Sequence, residues 1–72
     1  MNLRLNGEER SFTDPPTPYT LAILIETLGM KPDRVAVELN RDIVPRERWP
    51  ETHLHDGDRL EIVQFVGGGC LP

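Results

Sequence analysis

Leu21, Leu24, Ile25 and Leu28 stand at i, i+3, i+4 and i+7, the spacing of one apolar helix face. Thr20 is suited to cap that helix, its hydroxyl accepting a bond from an early backbone N–H. Tyr19 is placed to pack on Leu24 as a hydrophobic staple. Gly29 suits the left-handed position after the last turn, and Pro32 blocks continuation. The helix then has roughly nine residues, about 14 Å at 1.5 Å per residue. Such a helix is marginal alone in water and must pack on a sheet, which the rest of the chain has to supply.

Alternation supplies it. Met1, Leu3 and Leu5 alternate with Asn2 and Arg4, the period of a half-buried strand. Asn6-Gly7 is a strong hairpin signal, because both residues tolerate positive φ. Glu8 to Phe12 reads as the return strand, with Phe12 its one large apolar residue. Pro15, Pro16 and Pro18 mark a connection. Val35, Val37 and Leu39 alternate with Ala36 and Glu38, and Asn40-Arg41-Asp42 is turn-like. Ile43-Val44 reads as a short strand stopped by Pro45, which cannot donate to a ladder. Pro50 to Asp58 is polar and carries an Asp56-Gly57 turn. Arg59 to Val66 reads as the last strand. The order strand, strand, helix, strand, strand, strand predicts an α+β fold: a small mixed sheet with one helix packed on one face and the other face open. Residues 1–66 form the domain and residues 67–72 a flexible Gly-rich tail.

Size and charge exclude several functions. A chain of 72 residues is one domain with a thin core, burying only about 60% of its unfolded surface. A deep internal active site is not expected, and neither is an enzyme. The longest apolar run, residues 21–25, is far short of the roughly 20 residues that span a bilayer. No secretory pattern opens the chain, so a cytoplasmic protein without a membrane partner is expected. A net charge of −4 argues against nucleic acid, where phosphate neutralisation supplies most non-specific affinity. Cys70 is the single cysteine and can form no internal disulfide; with His53 and His55 it is poor material for a metal site. No Ser/His/Asp or Cys/His set has a recognisable spacing, and no phosphate-binding glycine loop precedes a helix. Trp49, among Arg46, Glu47 and Arg48, reads as a ring covering the core's edge in preference to a partner contact.

The end of the chain carries the functional signal. If Leu60 and Ile62 face the helix, then Val63 and Phe65 face outward on the uncovered side, a candidate partner-binding patch. Beyond them, Gly67, Gly68 and Gly69 have the largest ordering cost of any residue and form no stable element. One reading is a frayed terminus. The other is a thread without side chains that delivers a terminal carboxylate into another protein's active site, Gly69 reaching about 10 Å past Val66.

The segments Ala36-Val37-Glu38-Leu39-Asn40, Ile43-Val44-Pro45-Arg46, Trp49, Asp56-Gly57-Asp58 and Phe65-Val66-Gly67-Gly68-Gly69 resemble the ThiS family of sulfur carriers, together with Leu3, Asn6-Gly7 and Thr20-Leu21. The resemblance covers residues 1–69. It implies a ubiquitin-like β-grasp fold and a protein co-substrate, expected as a monomer. It implies an adenylating partner similar to ThiF, which uses ATP and Mg²⁺ to activate the carboxylate of Gly69, and a thiazole synthase similar to ThiG, which takes the sulfur from a Gly69 thiocarboxylate in thiamine biosynthesis. Gly67 and Gly68 would be the thread, and the chain itself would bind no cofactor. One departure stands out: Cys70-Leu71-Pro72 follow Gly69, whose carboxylate is therefore locked in a peptide bond. A tail-trimming protease is the expected remedy; an acyl shift onto the Cys70 thiol is the lesser alternative. A carrier for cysteine, methionine or molybdopterin synthesis, and a β-grasp binding module that carries nothing, remain as rival readings.

Overall fold

The structure is a computed structural model and describes residues 1–13 and 15–65. The tail Gly67–Pro72, and with it Gly67, Gly68, Gly69 and Cys70, lies outside the described residues, as does Val66.

Five strands and one helix follow the expected order. They are β1 (Asn2–Leu5), β2 (Glu8–Ser11), α1 (Leu21–Thr27), β3 (Val35–Leu39), β4 (Asp42–Ile43) and β5 (Arg59–Gln64). They form one mixed sheet in the order β2-β1-β5-β3-β4. β5 runs parallel to β1 and antiparallel to β3, so the last strand in sequence is the central one in space.

α1 is built as its sequence dictates. The Thr20 hydroxyl accepts from the Ile23 N–H at 3.3 Å. At the other end, Gly29 N–H donates to Glu26 O and Met30 N–H to Ile25 O, with Gly29 at φ 74°. These paired bonds are a Schellman motif, and the left-handed seat explains the glycine. Leu21, Leu24 and Ile25 are fully buried against Leu3, Leu5, Val35, Val37, Leu60 and Ile62 of the sheet. The alternation read from the sequence therefore holds on β1, β3 and β5. The helix covers one face, and Arg4, Ala36, Arg59, Glu61 and Val63 are exposed on the other.

α1 has seven residues against the roughly nine expected, with Leu28 as its C-cap, and β5 ends at Gln64, short of Val66. Three further features differ from the sequence reading. β4 is Asp42–Ile43, one residue earlier than Ile43-Val44. The cause is the two-residue turn at Asn40-Arg41, which sets Leu39 opposite Asp42 and Glu38 opposite Ile43. β2 stops at Ser11, although Phe12 and Met1 still exchange N–H···O bonds at 2.8 Å in both directions. The third difference is a 3₁₀ segment, Arg46–Glu51, within a stretch whose charged and proline residues disguise it. Its one apolar side chain, Trp49, is 3% exposed and donates Nε1–H to the Val44 carbonyl at 2.9 Å. The structural reading of Trp49 is the correct one. The chain after this segment straps the start of the helix: Leu21 N–H donates to Thr52 O, and Leu54 N–H to Tyr19 O.

Candidate functional site

β5 precedes residues 66–72 in the chain, so whatever fixes β5 fixes the point from which they start. It is clamped on both sides by an asparagine from a hairpin turn. On the β1 side, Asn6 Nδ2 donates to the Ile62 carbonyl at 3.1 Å, and Ile62 N–H donates to Asn6 Oδ1 at 2.7 Å. The Asn6 amide thus acts as one more ladder residue after β1 has ended at Leu5. On the β3 side, Arg59 N–H donates to Asn40 Oδ1 at 3.0 Å, and Asn40 N–H donates to the Arg59 carbonyl at 2.7 Å. Asn40 Nδ2 also donates to Asp58 Oδ1 at 3.0 Å. Both asparagines sit at φ 49°, a conformation that Asn tolerates better than most residues. Past the end of β5, Phe65 N–H donates to the Arg34 carbonyl at 2.7 Å. The backbone is therefore held up to the last described residue.

The outer face beside this exit is apolar. Val63 is 58% exposed and pairs with Ala36 across β3–β5. Ile43, at 78%, is the most exposed large aliphatic side chain of the described residues. Ala36, Val37, Ile43 and Val63, with Glu38 and Glu61, line a shallow groove of about 140 Å³. Phe65, expected beside Val63, is half-buried and lies beyond the strand. The exposed companion of Val63 is Ile43, which sequence reasoning missed. The signal was present: a two-residue turn at Asn40-Arg41 puts Ile43 opposite Glu38, on the outward side. Glu38 and Glu61 are directly opposed across the ladder, an arrangement of like charges that an isolated sheet does not favour. His53 pairs with Thr20 in an isolated bridge, and His55 Nδ1 lies 3.9 Å from Asp58 Oδ2; neither faces this groove.

A mixed five-stranded sheet gripping one helix, with the last strand central and leading into the tail, is the β-grasp, ubiquitin-like fold. The crystal structure of the thiamine biosynthesis protein ThiS from Geobacter metallireducens superimposes with a TM-score of 0.77 at 36% identity, covering 96% of this chain and all of that one. The chain belongs to the ThiS family, whose family model matches residues 3–69. The sulfur carrier protein ThiS of Bacillus subtilis is 37% identical over 67 residues, which cover 93% of this chain and 98% of that protein. A thiazole synthase from Paramagnetospirillum magneticum is 45% identical over 69 residues, 96% of this chain, and the chain spans only 20% of that synthase's length.

Proposed function

We propose that this chain is a sulfur carrier for the thiazole of thiamine, with Gly69 as the residue that bears the sulfur. The observation that carries the reading is where the family match ends: it runs from residue 3 to residue 69 and stops at the third glycine. The relatives named as sulfur carrier proteins support the carrier role. Thiazole synthases that contain a stretch similar to this chain support a thiazole synthase as the recipient, since fusion keeps donor and acceptor at high effective concentration.

The chemistry needs a free carboxylate at Gly69. A protease removes Cys70, Leu71 and Pro72. The adenylating partner then joins the Gly69 carboxylate to the α-phosphate of ATP, with Mg²⁺ bound on that enzyme, and pyrophosphate leaves. The acyl-adenylate has a good leaving group, so a persulfide donor displaces AMP to give an acyl disulfide. A thiol then attacks the donor's sulfur, forming a disulfide with it and releasing the thiocarboxylate. The carrier supplies presentation and no catalytic group. β5, held by Asn6 and Asn40, presents the tail at a fixed point. Gly67 and Gly68 pass where a Cβ would clash. The groove at Val63, with Ile43 added, is the docking contact, and Phe65 follows two residues on along the chain.

The test is adenylation in vitro. The chain ending at Gly69, with the adenylating enzyme of the same cells and ATP, gains AMP as read by intact mass. The Gly69→Ala chain keeps its fold by circular dichroism and forms much less adenylate. Equal adenylation of a chain still ending in Pro72 would overturn the assignment to Gly69.

A further inference from the structure

The two tight hairpins of this chain share one turn geometry. Asn6-Gly7 joins β1 to β2 with φ of 49° and 83°. Asn40-Arg41 joins β3 to β4 with φ of 49° and 75°. In the first, glycine takes the second left-handed seat at no steric cost. In the second an arginine takes it, although positive φ is unfavourable for a residue with a Cβ. Strain held at an exposed turn points to a use for the side chain.

The surroundings indicate that use. Arg4 of β1 and Arg59 of β5 are directly opposed on the outer face. With Asn40, Arg41 and Gly57 they line an open depression of about 370 Å³. Like charges opposed across a ladder repel. Glu9 faces Arg4 from β2, and Glu61 follows Arg59 two residues on along the same face, but neither forms an ion pair with them within 4.0 Å. The two aspartates of the adjoining loop are engaged elsewhere. Asp56 Oδ1 accepts from Asn2 N–H at 2.6 Å, and the two oxygens of Asp58 accept from Asn40 Nδ2 and His55 N–H. Among the described residues, none of the three guanidinium groups has a carboxylate within 4.0 Å. The corner thus gathers three guanidinium groups, Arg4 Nη1 donating to the Gly7 carbonyl at 3.2 Å and none of the three in an ion pair among the described residues, on a chain whose net charge is −4.

We propose that Arg4, Arg41 and Arg59 are a docking corner for a carboxylate-rich protein surface, that of the adenylating partner. The inference rests on the carrier reading above. Every residue lining the depression is exposed, so a small free anion there would keep its water and gain little. A protein already docked on the same face brings its carboxylates at high effective concentration. Arg59 and Val63 are four residues apart on β5, about 13 Å, and an interface of about 800 Å² per partner covers both. Guanidinium forks match carboxylates in bidentate geometry. Glu38 and Glu61, which line the apolar groove, repel a uniformly acidic surface. The partner's carboxylates must therefore gather over the corner, which fixes its orientation on the carrier.

The experiment measures association of the purified adenylating enzyme from the same cells with the wild-type chain, Arg41→Gly, Arg4→Gln and Arg59→Gln, each ending at Gly69, at low and high salt, with tail adenylation read by mass in parallel. Arg41→Gly is expected to melt no lower than wild type, because it relieves the turn, and yet to associate about tenfold more slowly at low salt. Arg4→Gln and Arg59→Gln slow association similarly, and the differences collapse at high salt. Equal association of all variants, with the tail still adenylated, overturns the corner and leaves the carrier reading standing. Absence of both association and adenylation in the wild type overturns both. Competition by millimolar inorganic phosphate would assign the corner to a small anion and overturn a protein surface as its occupant.

Discussion

Asn6→Ala removes a side chain that serves as a ladder residue for the central strand. Two bonds are lost, Ile62 N–H to Oδ1 at 2.7 Å and Nδ2 to the Ile62 carbonyl at 3.1 Å. Both are partly buried, so water replaces them incompletely, and each loss costs about 1 kcal/mol. Ala at a φ of 49° adds about 1 kcal/mol of left-handed strain. The sum is about 3 kcal/mol. For a domain of this size, 1 kcal/mol lowers Tm by about 4–8 °C, so the expected fall is about 12–24 °C. Asn6→Gly loses the same bonds without the strain and should cost about 2 kcal/mol. The assay is urea and thermal unfolding of all three proteins, with hydrogen exchange at the Ile62 amide. Exchange at Ile62 should rise in both variants. An Asn6→Ala chain within about 0.5 kcal/mol of wild type would refute the ladder role, since that is the scatter of neutral surface substitutions. Equal stability of the Ala and Gly variants would refute the strain contribution.

Other outcomes follow from the same geometry. Leu24→Ala empties a fully buried site between α1 and the sheet and should cost about 2–5 kcal/mol in urea unfolding. Trp49→Phe keeps most of the apolar ring but strands the Val44 carbonyl, and should lose about 1–2 kcal/mol by the same measurement. Thr20→Ala removes the cap on Ile23 N–H and should cost about 1 kcal/mol. Ile43→Ser is expected to leave stability within about 0.5 kcal/mol, because the side chain is exposed, while weakening association with the adenylating enzyme in a direct binding assay.

The elements that were legible in the sequence are those with local signals. The i, i+3, i+4, i+7 stripe, Thr20 and Gly29 specify α1. Alternation specifies which sides of β1, β3 and β5 are buried. The Asn6-Gly7 turn specifies the first hairpin. What escaped was set by distant partners. The Asn6 amide closes on Ile62, 56 residues away, and no local pattern announces such a bond. The 3₁₀ segment Arg46–Glu51 has one apolar residue, too few to show a period. Ile43 escaped as a companion of Val63 because its side depends on the turn register, and Asn40-Arg41 lacks the glycine that marks such a turn. Phe65 stood next in the outward series, but strand alternation ceases to apply once β5 ends at Gln64. The glycines at 67–69 read as a thread from composition alone and lie outside the described residues, and the pathway proposed for them comes from resemblance.

The most direct test of the carrier account is the intact mass of this protein isolated from its own cells under demand for thiamine. The account predicts a form that has lost Cys70, Leu71 and Pro72 and ends at Gly69, with a fraction carrying the increment of one oxygen replaced by sulfur. A full-length mass with no processed fraction, in cells actively making the thiazole, would contradict it and favour a β-grasp binding module that carries nothing.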